Sequence, residues 1–189
     1  AQVSNMAKED FLAAVETTKE HIQAGDIFQL VLSHRFERRT FADPFEVYRS
    51  LRVVNPSPYM IYLQARGSIV VASSPEILCR VDRDREVTNR PLAGTRKRGA
   101  DPEADAALEA DLLSDEKERS EHVMLVDLGR NDVGIVSKNG SVQVRSMFDI
   151  ERYSHVMHIS STVTGDLKDE LTAWRSEEHT SELQSPLDI

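Results

Sequence analysis

The stretch EHVMLVDLGRND, residues 121–132, gives the clearest indication of the fold. An acidic run precedes it, and acidic residues stabilise the first turn of a helix. Because glycine often ends a helix, we expect a helix over 115–129 that stops at Gly129. On such a helix, Glu118 and Glu121 share one face. Two carboxylates there suit a Mg²⁺ ion, although a solvated charged face is the more common arrangement.

Outward from this helix, apolar spacing and turn residues predict short strands that alternate irregularly with helices. The other expected helices cover 8–24, 44–53 and 102–113. The expected strands cover 27–36, 59–65, 68–73, 77–82, 86–89, 141–147 and 156–165. This order is not a regular βαβ repeat, so it predicts an α+β fold with mixed and antiparallel sheets.

Composition and charge limit the class of protein. The chain has 189 residues, 40% of them hydrophobic and 29% charged, which is enough for one ordinary domain with a core. Its net charge of −9 disfavours binding to nucleic acid or to anionic membranes, since both require clustered basic residues. The single cysteine, Cys79, permits no internal disulfide and suits a reducing compartment. Without a long apolar run or a signal-peptide pattern, we expect a cytoplasmic protein that does not enter the membrane.

The segment 175–189 differs in character from the rest of the chain. RSEEHTSELQS at 175–185 has no helical or strand periodicity, and it matches the translation of a common sequencing-library adapter. An ordinary polar tail is the alternative interpretation. We therefore expect one partial domain over 1–174, followed by a non-native tail.

Three further segments carry residues suited to chemistry. SSPE places the carboxylate of Glu76 just after an expected strand, where it could act as an acid. RPLAGTR at 90–96 offers backbone amides at Gly94 and Thr95, together with two arginines that suit an anion. ERYSHVMH at 151–158 offers two histidines that titrate near neutral pH. Alone, each pattern is explained as well or better by a surface turn or a structural histidine.

Taken together, these segments resemble the chorismate-utilising enzymes, a family that includes anthranilate synthase, aminodeoxychorismate synthase, isochorismate synthase and salicylate synthase. The resemblance runs from about residue 4 to residue 174. It is carried by GDIFQ (25–29), NPSPYM (55–60), SPE (74–76), PLAGTR (91–96), EHVMLVDLGRND (121–132) and ERYSHVMH (151–158). It implies part of a fold in which two similar αβ halves with large mixed and antiparallel sheets surround the active site.

The resemblance implies a metal and substrate site. Glu121 matches a Mg²⁺ ligand, and Glu118 matches the nearby carboxylate that binds a metal-bound water. The Mg²⁺ ion would hold the ring carboxylate of chorismate, a hard oxygen ligand for a hard cation. Gly94 and Thr95 match the loop that contacts the substrate carboxylate.

The resemblance also implies two residues that move protons. Glu76 matches the acid that protonates the departing C4 hydroxyl, which is a poor leaving group as hydroxide. His158 matches the family histidine tied to pyruvate elimination in the second step, and His155 is the less favoured alternative. Both roles belong to one reaction sequence on chorismate.

Two positions separate the branches of the family. Gln29 stands where the water-activating branches place a lysine base, and a neutral amide suits ammonia as the nucleophile. Ala93 stands where many aminodeoxychorismate synthases place a nucleophilic lysine. Both residues imply the large subunit of anthranilate synthase, which converts chorismate and ammonia to anthranilate and pyruvate in the first step of tryptophan biosynthesis. An aminodeoxychorismate synthase of folate biosynthesis and a non-catalytic remnant scaffold are the alternatives.

Partners follow from the same resemblance. A separate glutamine amidotransferase subunit would supply ammonia, since Cys79 lacks the motif of a glutaminase nucleophile. Tryptophan would act as a feedback inhibitor at a segment otherwise explained as a Pro-rich turn: Asn55, Pro56, Ser57, Pro58, Tyr59 and Met60. The family's second Mg²⁺ glutamate, a substrate-binding arginine and a Gly-rich loop have no counterpart in the sequence. We therefore expect the chain to be inactive alone.

Overall fold

The computed structural model describes residues 2–27 and 29–174. Contacts between residues divide them into two units, one from 2 to 43 and one from 44 to 174. The predicted non-native tail, 175–189, lies outside the described residues. In the part of the chain that the structure describes, no helix is both long and apolar enough to cross a membrane.

The first unit contains one helix and a short pair of strands. Helix α1 covers Lys8–Ala24 and ends at Gly25, whose φ of 81° is the left-handed conformation that commonly closes a helix. Strand β1, Gln2–Ser4, pairs antiparallel with β2, Phe36–Arg38. The prediction of a strand over 27–36 is therefore wrong for the described residues before Phe36. Strand β1 is only three residues long and pairs with Phe36–Arg38, so it cannot extend the pairing to those earlier residues.

A helix packed on a hairpin begins the second unit. Its elements are α2 (Pro44–Val54), β3 (Tyr59–Ala65) and β4 (Ser68–Ser74). The ring of Tyr62 meets the rings of Phe45 and Tyr48 at centroid distances of 5.3 and 5.8 Å, which fixes the helix on the hairpin. Arg66 and Gly67 both have positive φ, as a two-residue hairpin turn requires.

A five-stranded sheet forms the body of the second unit. Its strands are β5 (Ile77–Val81), β6 (Glu86–Arg90), β7 (Leu92–Lys97), β8 (Gln143–Arg152) and β9 (Val156–Asp166). Strands β6 and β7, separated by Pro91, follow one another along one edge of β9, while β8 pairs with its other edge. Strand β5 pairs with β6, and every pairing is antiparallel. The predicted α+β class is confirmed.

Two helices, α3 (Pro102–Ser114) and α4 (Glu116–Val136), cover one face of this sheet. Alternate residues of β9 point toward them, as the period of a strand requires, and are fully buried. The core beneath α4 contains Val87, Val126, Val133, Val136, Val163 and Leu167, and the core beneath α3 contains Leu112, Met157 and Ile159. Each fully buried aliphatic side chain stabilises the fold by about 1.5–3 kcal/mol.

Helix α4 does not stop at Gly129, so that predicted boundary is wrong. The helix continues to Val136, and Gly129 is buried where α4 crosses β6. A Cβ on Gly129 would lie 2.4 Å from the side-chain oxygen of Asn89, whose amide nitrogen donates to the carbonyl of Leu78 at 2.8 Å. The glycine therefore permits a close approach of helix and strand rather than a turn.

Two alanine substitutions in α4 test this interpretation. Gly129→Ala is expected to lower the free energy of unfolding, because the new methyl group collides with a hydrogen-bonded amide. Gly134→Ala is the matched control: its Cβ would meet only Val142 Cγ2 at 4.0 Å, so it should raise that free energy by about 0.5–1 kcal/mol. Urea unfolding of the chain measures both. Equal effects at the two positions would contradict the close crossing.

Candidate active site

Gly94 lies where β7 departs from regular pairing with β9. The segment 90–96, expected to be an anion-binding loop, is largely strand, and its register with β9 shifts between Ala93 and Thr95. Gly94 has a φ of 67°, which L side chains rarely adopt. A Cβ there would lie 3.2 Å from Glu118 Oε2. The missing side chain thus allows the carboxylate of α4 to approach the strand backbone.

His158 lies across from this irregularity, on β9. Its Nδ1 is 3.0 Å from the carbonyl oxygen of Gly94 and 3.1 Å from the hydroxyl oxygen of Thr95. Because a carbonyl oxygen only accepts, the contact assigns the hydrogen of the neutral imidazole to Nδ1. Nε2 then has the available lone pair, and it forms no hydrogen bond within the described residues. His158 is therefore arranged to accept a proton at Nε2.

Glu76 precedes β5 and lies within electrostatic range of His158. Its Oε1 accepts a hydrogen bond from the backbone amide of Leu92 at 3.1 Å. Although Glu76 is an exposed residue, partial desolvation of its carboxyl group raises its pKa more than the Leu92 amide and His158 lower it. With Oε1 engaged as an acceptor, Oε2 is the oxygen that can carry a proton. A raised pKa keeps that acid form present closer to neutral pH.

Arg96 binds carboxylates of this chain, whereas the sequence predicted an anionic ligand. Its guanidinium nitrogens lie 2.6 Å from Asp111, 2.9 Å from Asp115 and 3.7 Å from Glu118. Asp115 also caps α4 by accepting hydrogen bonds from the backbone amides of Lys117 and Glu118. The hydrogen bond from the Glu118 amide, followed by that from Arg96, lowers the pKa of Asp115. Arg96 therefore ties β7 to the first turn of α4.

Glu118 and Glu121 lie on one side of α4, three residues apart, as predicted. The side chain of Glu118 is 21% exposed, and Glu121 is exposed. Within the described residues, no group of three histidine, cysteine, aspartate or glutamate side chains is arranged to hold a metal. One or two carboxylates completed by water and substrate oxygens are, however, a usual donor set for Mg²⁺. The pair fits this ion by the chemistry of its donors.

His122 belongs to a buried polar cluster that sequence reasoning did not single out. Its Nε2 lies 2.6 Å from the hydroxyl oxygen of Ser161 on β9, and both residues are fully buried. The same hydroxyl oxygen accepts the backbone amide of Phe148 on β8 at 3.1 Å. His122 shares one helical face with the buried Val126 and Val133. This spacing is the signal in the sequence that could have identified His122 as buried.

A second polar group lies beside His158. The ring of Tyr153 is 5.8 Å from the imidazole ring, and its hydroxyl donates to Glu151 Oε2 at 2.6 Å. The other carboxylate oxygen of Glu151 is 2.5 Å from Arg90. Burial, followed by the bond to Glu151, raises the pKa of Tyr153, so the phenol stays neutral. Arg90, like Arg96, is paired with a carboxylate of this chain.

The remaining candidate residues lie elsewhere. Gln29 is exposed and belongs to the first unit, so its predicted place near the nucleophile stays a prediction. The segment from Asn55 to Met60 connects α2 to β3, and Ser73 holds it by donating to the Asn55 carbonyl at 2.7 Å. Tyr59 and Glu76 line the same largely apolar concavity. His155 is exposed in the turn between β8 and β9.

Known proteins of similar sequence include anthranilate synthases from plants and bacteria. The chain is 69% identical over 173 residues to the chloroplastic alpha subunit 1 from Oryza sativa subsp. indica and 68% identical over 171 residues to the chloroplastic alpha subunit 2 from Arabidopsis thaliana. These alignments cover 92% and 90% of this chain but 30% and 27% of the relatives. The chain therefore spans about a third or less of the length of these relatives.

Solved structures of similar fold include an anthranilate synthase component and an isochorismate synthase. Anthranilate synthase component I from Streptococcus pneumoniae is 43% identical with a TM-score of 0.84, over 93% of this chain and 38% of that one. The menaquinone-specific isochorismate synthase from Escherichia coli, at 19% identity and a TM-score of 0.70, shares the fold over 97% of this chain and 43% of that one. Residues 1–178 match the chorismate binding enzyme family, and the chain belongs to that family.

Proposed function

We propose that the chain forms part of the chorismate-converting site of an anthranilate synthase large subunit. The observation that carries the proposal is the pairing of Glu76, an acid with a raised pKa, with His158, a base with an available Nε2, within electrostatic range of each other. The similarity to anthranilate synthases from plants and bacteria supports this branch of the family. The proposed reaction converts chorismate and ammonia to anthranilate, pyruvate and water.

Glu76 acts as the acid of the first step. Its Oε2 donates a proton to the departing C4 hydroxyl, so that water leaves while the nitrogen of ammonia bonds to the ring. The carboxylate that remains is stabilised by the hydrogen bond from the Leu92 amide to Oε1. This amide, which opposes the raised pKa, therefore favours proton release once substrate is in place.

His158 acts in the second step, when pyruvate leaves and the ring becomes aromatic. Nε2 accepts the ring proton as the bond between the ring carbon and the enolpyruvyl oxygen breaks, and the departing enolpyruvate becomes pyruvate by taking up a proton at its methylene carbon. The hydrogen on Nδ1 stays bonded to the Gly94 carbonyl, so the imidazole keeps its orientation as its charge changes. Ala93 offers no nucleophile on β7, which supports direct attack by ammonia rather than a covalent adduct.

Mg²⁺ completes the proposed site. When bound by Glu121 and, through water, by Glu118, the ion would neutralise and hold the ring carboxylate of chorismate. The amide and hydroxyl of Thr95 and the backbone of Gly94 supply further donors to that carboxylate. Glu118 Oε2 lies 3.2 Å from the position that a Cβ on Gly94 would occupy, and this closeness supports placing metal and substrate together.

The proposed partners and compartment follow the family. A glutamine amidotransferase subunit supplies ammonia, and the neutral Gln29 suits that nucleophile. Tryptophan binds the segment from Asn55 to Met60 as feedback inhibitor, and its closeness to Glu76 through Tyr59 offers a route to the site. The cytoplasmic location stays a prediction, and the rice and Arabidopsis relatives are named as chloroplastic.

A product assay tests the proposal. Residues 2–174 replace the matching segment of the rice subunit, to which the chain is 69% identical, and the purified hybrid receives chorismate, ammonium and Mg²⁺. We expect 2-aminobenzoate and pyruvate in equal amounts. A 4-amino product would instead indicate an aminodeoxychorismate synthase. A folded hybrid that binds chorismate but forms no product would indicate a non-catalytic scaffold.

Neutralising either proposed metal carboxylate should weaken Mg²⁺ binding. Glu118→Gln and Glu121→Gln each remove one charge from the proposed donor set, and we expect a Kd for Mg²⁺ at least about tenfold higher in each. Glu116→Gln is the control, since it removes the same charge from another face of α4. Calorimetric titration with MgCl₂ measures all three. An equal loss in Glu116→Gln would indicate general charge rather than a site.

Glu76→Gln should separate catalysis from stability. The amide can still accept from Leu92 but cannot donate the acid proton, so kcat of the hybrid should fall about 10²–10⁴-fold. The raised folded pKa means that wild-type stability is full below the unfolded pKa and declines as pH rises through the folded pKa. We therefore expect Glu76→Gln to match wild type in Tm at pH 4 and to equal or exceed it at pH 8. Unchanged kcat would refute the acid role.

A further inference from the structure

The cluster of His122, Ser161 and Phe148 joins the two elements that carry the proposed metal ligands and the proposed base. His122 is adjacent to Glu121 and one turn beyond Glu118 on α4. Ser161 is three residues beyond His158 on β9. The 2.6 Å contact between His122 Nε2 and Ser161 Oγ therefore joins the proposed metal helix directly to the strand that carries the proposed base.

The backbone at Phe148 is shaped around the same hydroxyl. The register between β8 and β9 shifts between Ser146 and Asp149, and Phe148 has a φ of 62°, rare for a residue with a side chain. Its amide donates to Ser161 Oγ at 3.1 Å, and its ring lies 5.5 Å from the His122 ring. Such conformations persist where surrounding contacts determine them, and they concentrate at functional sites.

Apolar packing alone would hold α4 on the sheet with less geometric definition. The core contacts of α4 are made by valines, which leave rotation and sliding of the helix weakly determined, whereas a buried polar contact has a directional optimum. Arg96 fixes the helix at its cap residue Asp115, and Ser161 fixes it about two turns later at His122. Between these two attachments lie the turns that carry Glu118 and Glu121.

We infer that His122 is a positioning residue, which through Ser161 sets Glu118 and Glu121 at the depth and rotation needed for a Mg²⁺ ion. The inference rests on the proposed function. Groups that orient metal ligands usually change metal affinity by 10- to 100-fold when removed. His122 itself contacts neither the metal nor the substrate in this account, since its side chain is fully buried against β9.

Four substitutions test the role. His122→Leu removes the polar contact but keeps an apolar side chain, and Ser161→Ala removes the shared hydroxyl. His122→Gln keeps a side-chain amide that can reach Ser161. Val126→Ala is the control for stability, because Val126 is 2% exposed four residues along the same helical face and takes no part in the cluster.

The readouts are the Tm of each variant and the Kd for Mg²⁺, followed by the amide resonances of Glu118 and Glu121 in the 189-residue chain. We expect His122→Leu and Ser161→Ala to raise this Kd at least tenfold, and His122→Gln to recover most of the loss. Val126→Ala should lower the Tm while leaving the Kd unchanged. Exchange of the Phe148 amide with solvent should accelerate in Ser161→Ala.

The outcomes separate this inference from the function on which it rests. Wild-type binding of Mg²⁺ with equal binding by His122→Leu would overturn the positioning role alone. A Kd that follows Tm across all variants, Val126→Ala included, would also overturn it, since a structural residue would behave in that way. No Mg²⁺ binding by the wild-type chain would overturn the proposed metal site and this inference together.

Discussion

Strand β9 is hydrogen-bonded along both edges, and the rest of the site depends on this constraint. One edge pairs first with β7 and then with β6, while the other pairs with β8. His158 therefore lies between Thr95 and Glu151 in register, and a one-residue slip would turn it toward the helices. Because alternate residues of β9 are buried beneath α3 and α4, such a slip would also expose the core. The same register of β9 is therefore needed both to bury the core and to place the proposed base.

Arginine–carboxylate pairs connect the elements around this strand. Arg96 joins β7 to α3 and α4, Arg90 joins β6 to β8, and Arg98 joins the end of β7 to Asp105 and to the Tyr153 carbonyl. These side chains are partly exposed, so each pair adds little to the free energy of folding. Their directional hydrogen bonds nevertheless fix distances between elements that apolar contacts alone would leave loose.

Local sequence patterns predicted most of the elements, and the failures have physical causes. The hairpin of β3 and β4, helix α3, the start of α4 and strand β9 follow from periodicity and turn residues to within a few positions. Gly129 was misread as a helix end because sequence does not distinguish a stopping glycine from one required by a neighbouring strand. The strand over 27–36 failed because pairing depends on a partner elsewhere in the chain. The family resemblance indicated Glu76, Gly94, His158 and Glu118, but not the partners of Arg96 or the cluster at His122, which arise from tertiary contacts.

The most direct test of the account is to map chorismate binding on the chain by NMR in the presence of Mg²⁺. If the proposed acid and base form one site beside β9, chorismate should shift the NMR signals of the His158 imidazole and of the Leu92 and Thr95 amides. Leu92 is hydrogen-bonded to Glu76, and Thr95 lies beside Gly94 and contacts His158. Perturbations confined to residues 2–43, or no perturbation in a folded chain, would contradict the claim that these residues form one chorismate site.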